Sequence, residues 1–366
     1  MEPVVNVDLM GNGLFQGEVA QMIQTNQLNP GMLRPFLAVD PTTGKLGAYI
    51  SVFKGGDAKK PENYAQIQVN TATLRREEWQ QLDEAILGIA EQRLTGVNDL
   101  ISRGLVYNLG NAMGTTVLES HTVGDAMEAE LTMDGVTRSK GDRPTFGTTY
   151  LPIPIIHVDY EINARVLAAS RSLGNPLDTT SAERAARKVS EKLEDMLFTS
   201  TTYAFGGGTV YSFVNYPDRA PVKMADYGQW SNPATTGAKI LESVLAMKQA
   251  SINNLHYGPW VLYIPTGYET RLDNDYDVTT PGTTIRERIM KIAGIQNIIV
   301  VDRLAANNVL LVQTTSDVIR IVRGMGLTNV EWQTEGKFVN KYKVLTIQVP
   351  QIRSDQNGKT GIIHMS

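Results

Sequence analysis

The sequence predicts an α+β fold made of more than one packed unit. Three observations carry that expectation. The chain has 366 residues, more than a single hydrophobic core of roughly 250 residues accommodates. Stretches with apolar residues every three or four positions are separated by β-branched stretches bounded by turn residues. The opening seventy residues stand apart, punctuated by Gly and Pro from Gly11 to Pro61. Composition narrows the function classes. Hydrophobic residues make up 42% and charged residues 20%, and 34 Lys+Arg against 38 Asp+Glu leave a net charge of −4. Such a chain has no strong positive field, which argues against a dedicated DNA-binding protein. Zero cysteines exclude disulfides, thiolate catalysis, zinc–thiolate sites and iron–sulfur clusters, and fit a reducing cytoplasm. The start, Met1 to Asp8, has no basic region leading into an apolar stretch, and no run of ~18 apolar residues exists, so neither a secretory leader nor a spanning helix is expected.

The elements follow in order. Residues 1–72 are poor at forming a core of their own. A loose tail and an arm lying on a neighbouring subunit compete, and the apolar stretches Leu33 to Val39 and Ala48 to Phe53 favour the arm. Removing the arm is expected to leave a soluble subunit. From Arg75, the residues Trp79, Leu82, Ile86, Ile89 and Ala90 mark one face of an amphipathic helix, with Arg76, Glu77, Gln80, Asp83 and Glu84 largely opposite. Residues 115–162 read as a long hairpin with strands Val117-Leu118, Ala129 to Met133 and Tyr150 to Ile162. Asp134-Gly135 and Lys140 to Pro144 are its turns. Pro152 and Pro154 argue for an edge strand.

Thr180 to Glu183 forms a capping-box pattern that opens a helix of about twenty residues, ~30 Å long. Its seam is Ala182, Ala185, Val189, Leu193 and Met196, set among Arg184, Arg187, Lys188, Glu191, Lys192 and Glu194. Residues 204–337 read as an α/β unit. It has a helix from Thr236 to Ile252, a strand from Trp260 to Ile264 and a short helix after Pro265. A second box, Thr284 to Glu287, opens a helix carrying Ile285, Ile289 and Ile292. Strands are expected at Ile298 to Val301, Val309 to Gln313 and Val318 to Val322, with a late one at Lys343 to Val349.

No catalytic constellation assembles from these residues. His121, His157, His256 and His364 have no metal-ligand spacing. Gly206-Gly207-Gly208 lacks the frame of a phosphate-binding loop and reads as a flexible connection. Asp273, Asp275 and Asp277 share the opening spacing of a calcium loop, but Val278 stands where the sharp turn needs Gly and Thr284 where the bidentate Glu belongs, so a solvated acidic loop is expected. GxSxG is absent, and nothing selects one carboxylate pair for glycosidase work. Lys140 at the hairpin tip could form a covalent cross-link to a neighbour's Asn or Asp; in Thr137-Arg138-Ser139-Lys140 it reads as a solubilising charge.

The order of parts resembles the Hong Kong 97 capsid fold, shared by major capsid proteins of tailed bacteriophages and by encapsulins. Arg75-Arg76-Glu77-Glu78-Trp79-Gln80-Gln81-Leu82-Asp83-Glu84 is similar to the encapsulin N-terminal helix. Leu151-Pro152-Ile153-Pro154-Ile155 is similar to the segment leading out of the family's extended loop. Asn175 to Phe198 resembles its spine helix, Trp260 to Leu272 the strand and helix of its A-domain, and Asp273 to Arg288 falls at the loop on the capsomer axis. The first seventy residues and a tail from Gln351 to Ser366 depart from a minimal encapsulin and look like those of a phage capsid.

The resemblance implies the following parts: an N-terminal arm at 1–72, the N-terminal helix and connection at 73–114, the E-loop hairpin at 115–162, a P-domain with the spine helix at 163–203, an A-domain at 204–337, and a return strand with a C-terminal tail at 338–366. It implies a structural protein without cofactor, not an enzyme. Copies of the chain would form pentamers and hexamers of an icosahedral virion shell around double-stranded DNA, assembled in the bacterial host cytoplasm. Portal, scaffold or decoration proteins are further partners, and no membrane is involved. The alternative is an encapsulin-type compartment around a cargo enzyme. Contacts would fall to the axis loop (Asp273, Asp275, Asp277, Thr279, Pro281) and the E-loop tip (Arg138, Lys140, Asp142, Arg143). Independently of the family, a projecting hairpin and an arm without a core are expected to bury themselves on copies of the same chain.

Overall fold

The computed structural model describes residues 34–39, 44, 46–53, 60, 63–69, 74–110, 113–123, 133, 146–173, 179–277, 282–335, 338–355 and 357–366. Strands β1 (Phe36–Val39), β2 (Leu46–Phe53) and β3 (Tyr64–Val69) form an antiparallel meander. Helix α1 (Arg76–Arg93) and the short α2 (Thr95–Ser102) follow. Trp79, Leu82 and Ile86 of α1 are buried as the spacing predicts.

The meander differs from the expected coreless arm. Phe36, Tyr49 and Ile50 are buried, and the segment is tied to α1 of the same chain. Arg34 pairs with Asp83 at 2.7 Å and lies 5.0 Å over the Trp79 ring, while Trp79 Nε1 donates to Pro35 O at 3.1 Å. Arg76 stacks 4.6 Å over Phe36, and Leu37 N donates to Leu74 O. The aromatic faces and the amphipathic helix complete each other's burial, so β1 and β2 belong to the body.

A four-stranded sheet runs in the order β4 (Val106–Asn108), β14 (Ile319–Glu335), β15 (Val339–Ile352), β7 (Ile156–Asn163). The strand expected at Val318 to Val322 continues to Glu335, with three register shifts against β15 that accommodate its length. β7 is an edge strand, and the expected single strand from Tyr150 to Ile162 is broken at its prolines: Pro152 closes β6 (Phe146–Pro152), and Pro154 falls in the break before β7. β5 (Val117–Val123) pairs with β6 from Val117↔Pro152 to Val123↔Phe146. Apart from Met133, the expected strand at 129–133 and both turns lie outside the described residues.

Helix α3 (Ala164–Leu173) leads to α4 (Thr180–Phe198), which packs its Ala182, Ala185, Val189 and Leu193 seam on this sheet. Its start differs from the reading by one residue. Thr179 is the N-cap, and its hydroxyl donates to Glu183 Oε1 at 2.5 Å rather than accepting from a backbone N–H. Its backbone is near-helical (φ −90°, ψ −4°), which turns the side chain away from the free amides.

A five-stranded sheet has the order β10 (Ala220–Val222), β16 (Ile362–Met365), β13 (Val309–Gln313), β11 (Trp260–Pro265), β12 (Ile295–Val301). It is buried on both sides. Val261, Tyr263, Leu310, Val312 and Ile362 face the core shared with α4, and Trp260, Leu262, Ile264, Leu311 and Ile363 face a second core. Helices α5 (Gly237–Asn253) and α7 (Ile285–Met290) cover that second side, with the one-turn α6 (Glu269–Leu272) between them in sequence. Burial on both faces explains why these strands read as continuous apolar runs rather than alternations. The last residues are therefore no tail. Ile362–Met365 lies between β10 and β13, pairing with both, and all four of its residues are buried.

Candidate assembly surfaces

The β5–β6 stem is exposed along Gly147 to Tyr150, and Tyr150 is 46% accessible. An isolated two-stranded ribbon is marginal in water, so what roots this one matters. Ile153 N donates to Thr116 O at 2.9 Å, Ser120 and Thr149 share a hydroxyl hydrogen bond at 2.7 Å, and Gln351 Nε2 donates to Ser120 Oγ at 3.3 Å. Gly206 to Gly208, read as a flexible connection, is a tight turn between β8 (Tyr203–Phe205) and β9 (Gly208–Val210) that presses on the stem. Gly206 and Gly207 have φ of +58° and +80°, and a Cβ on Gly208 would lie 2.1 Å from Tyr150 O. The glycines are there for conformation and close approach, not for mobility.

The loop after α6 is closed at its base. Tyr276 N donates to Thr283 O at 2.9 Å, Ile285 N donates to Asn274 O at 3.1 Å, and Asp275 bridges to Thr284. The expected capping box at Thr284 is present, with Glu287 N donating to Thr284 Oγ1 at 3.2 Å and Thr284 N to Glu287 Oε2 at 3.4 Å. Asp273 accepts from Arg286 Nε at 2.8 Å, and Arg288 stacks 4.9 Å from the Tyr276 ring centre. Asp273, Asp275 and Asp277 are exposed. Thr279 and Pro281 lie outside the described residues, as do Arg138, Lys140, Asp142 and Arg143 of the hairpin tip.

The four histidines stay apart in role. His364 Nδ1 accepts from Arg219 Nε at 3.3 Å, and its Nε2 lies 2.7 Å from Asn308 Oδ1. Burial first, then the Arg219 charge, push it down to about 4. It is a neutral core residue at physiological pH. Among the described residues no group of three or more His, Cys, Asp or Glu gathers as a metal ligand set, and no helix is long and apolar enough to cross a membrane.

Sequence reading missed Glu194, placed among the polar residues of the spine helix. It is 2% exposed. Its Oε1 accepts from Gly96 N at 2.9 Å and Val97 N at 3.1 Å, capping α2, whose own N-cap Leu94 has no side chain to do so. Burial pushes its carboxyl up to about 7 against the pull of those two amides, and Asp195 and Asp302 add to the rise. A carboxylate at a helix position, followed by Asp195, carries no signal of this. Alongside it, Arg303 bridges Glu191 at 2.8 Å and Asp195 at 3.4 Å, joining the spine helix to the end of β12. Lys188 first, with Arg187 and Arg303, holds the Glu191 carboxyl at about 2.

A mixed α+β chain with a rooted hairpin, a long helix across one sheet and a second sheet at its side has known counterparts. Three solved shell structures share the arrangement. The virus-like particle from Pyrococcus furiosus matches with a TM-score of 0.57 at 18% identity, covering 79% of this chain and 100% of that one. The capsid of Myoviridae phage XM1 matches at 0.56 and 9%, covering 74% and 91%, and the capsid of an empty GTA particle at 0.52 and 11%, covering 72% and 88%. The protein has the Hong Kong 97 type of capsid fold. By sequence it belongs to the family described as "Family of unknown function (DUF6260)", which matches residues 68–365. It is also 23% identical over 211 residues to the type 1 encapsulin shell protein EncA of Myxococcus xanthus (strain DK1622), spanning 56% of this chain and 66% of that relative, just under two thirds of its length.

Proposed function

We propose that this chain is a structural shell subunit, the major capsid protein of a tailed phage, whose copies close into an icosahedral shell around double-stranded DNA. The observation that carries the reading is the match of 72–79% of the chain to three particle-forming subunits. The hairpin stem supports it. Its exposed strands are anchored at the root and leave Tyr150 open, an arrangement that serves contact with another molecule better than it serves the subunit. The hairpin tip and the loop at 273–284 are the proposed contacts between copies, the loop around symmetry axes. DNA would be held without sequence preference, and portal, scaffold or decoration proteins would be additional partners of a virion assembled in the host cytoplasm.

A compartment holding a cargo enzyme is the second reading, favoured by the alignment to EncA. Electron microscopy of the expressed protein tests both: closed particles are expected. A monomer or small oligomer under all conditions would refute both. Nucleic acid inside particles purified from the native source supports the phage, and a folded protein cargo supports the compartment.

A further inference from the structure

A cavity of about 370 Å³ opens between the hairpin stem, the β8–β9 turn and residues 350–354. Spaces of a few hundred Å³ hold small molecules when polar groups converge on them. Arg353, Ser354, Thr209, Tyr211 and Tyr216 line this one. Among the described residues no carboxylate pairs with the Arg353 guanidinium, nor with that of neighbouring Arg320. Arg320 is held by neutral groups alone: its Nε donates to Gln351 Oε1 at 2.6 Å, and its guanidinium lies 4.4 Å over the Tyr107 ring. Arg353 therefore brings a cation without a paired carboxylate to the cavity.

The hydroxyls are arranged to complete it. Tyr216 donates to Ser354 Oγ at 3.1 Å, which leaves the Ser354 proton free to donate elsewhere. The Thr209 and Tyr211 hydroxyls have no partner among the described residues. Nearby carboxylates do not answer the charge. Asp355 accepts from the amides of Asn357 at 2.9 Å and Lys359 at 2.7 Å, and Asp218, which acts on Tyr216, makes no ion pair with Arg353.

We propose that this cavity binds a small phosphate ester, with the phosphate on Arg353 and the hydroxylated body against Thr209, Tyr211 and Ser354. A phosphate carries a charge of about −1.5 to −2 at neutral pH and presents three acceptor oxygens, enough to take the Arg353 guanidinium and the lining hydroxyls together.

Isothermal titration of the full chain with ribose 5-phosphate, inorganic phosphate and ribose tests the site. Ribose 5-phosphate is expected to bind, inorganic phosphate to bind more weakly, and ribose not at all. Arg353→Gln should weaken ribose 5-phosphate about tenfold or more, and Thr209→Val should weaken it by a few-fold. No binding of either anion up to about 10 mM, or equal affinity in Arg353→Gln, would overturn the proposal. If Arg353→Gln fails to fold, Thr209→Val and Tyr211→Phe decide in its place, and unchanged affinity in both overturns it. A phosphorylated oligonucleotide that displaces ribose 5-phosphate assigns the ester to a nucleic-acid end, and one that does not assigns it to a free sugar phosphate; either result keeps the anion site.

Discussion

The five-stranded sheet and the hairpin stem are built from the same kind of sequence, short runs rich in β-branched and aromatic residues, yet their burial is opposite. Every residue of β11, β13 and β16 is buried, whereas Gly147 to Tyr150 of the stem are exposed. The sheet has a core on each face and draws its stability from within the chain. The stem has one paired strand and a root, so whatever its surface is worth must be realised against another molecule. Substitutions in the first region should change folding, and those in the second should change association.

The largest test of that contrast is Tyr263→Ala. Tyr263 is fully buried, packs its ring 5.2 Å from Phe198 and 6.1 Å from Phe213, and donates its hydroxyl to Asp99 Oδ2 at 3.0 Å. Removing the ring should cost ~3–5 kcal/mol in urea unfolding of the subunit. Tyr150→Ala should stay within ~0.5 kcal/mol and lower particle yield instead. Equal losses from both would erase the distinction.

The N-terminal region divides along the same line. Deleting residues 1–33 keeps the contacts described from Arg34 onward and serves as the reference for a longer deletion. Deleting 1–69 uncovers Trp79 and removes Phe36 and Tyr49, and should cost ~3 kcal/mol or more. If the longer deletion is as stable as the shorter, the meander belongs with the stem as a contact region and not with the body.

Glu194 makes the junction between α4 and α2 pH-dependent. Its folded value is about 7 against an ordinary 4.5, raised chiefly by burial. Below about 4.5 both folded and unfolded chains hold the proton. Between about 4.5 and 7 the unfolded chain alone has lost it, so stability falls as pH rises, and above 7 the loss is complete at roughly 3 kcal/mol. Glu194→Gln keeps an acceptor for Gly96 and Val97 without the charge. It should abolish that slope and be the more stable form above pH 7, as read by urea midpoints across pH. An unchanged slope would show that another group carries it.

How much of this was legible follows from what each residue needs. The α4 seam and the strands at Trp260 and Val309 are local: spacing and runs of apolar side chains specify them. Ile362–Met365 is four residues after a turn-rich stretch, and it becomes a central strand because Ala220–Val222 and Val309–Gln313, far away in sequence, lie on either side. Glu194 is polar and sits on a helix, which places it with the solvated face by periodicity. It is buried because the N-terminus of α2 ends against it, a tertiary fact with no sequence period. Gly208 likewise shows its reason only once Tyr150 O is beside it. The exposure of Asp273, Asp275 and Asp277 follows from their charge, but the Asp273–Arg286 pair does not, because it depends on the turn that brings α7 back.

That closure supplies the smallest prediction. The Asp273–Arg286 pair has side chains 58% and 30% exposed, so water and salt screen it. Exposed pairs of this kind contribute ~0.2–1 kcal/mol. Asp273→Asn should therefore shift the subunit's urea midpoint by no more than ~0.5 kcal/mol, since the backbone bonds from Tyr276 to Thr283 and from Ile285 to Asn274 still close the loop. If copies of the loop meet around an axis, as proposed above, the same change also removes a negative charge from each copy beside Asp275 and Asp277. Repulsion between those charges is screened over about 8–10 Å at ordinary salt, so the variant should assemble at lower ionic strength than the wild type while melting with it. A midpoint shift well above 1 kcal/mol would place the loop with the buried sheet. Unchanged salt dependence of particle formation would remove it from the contacts between copies.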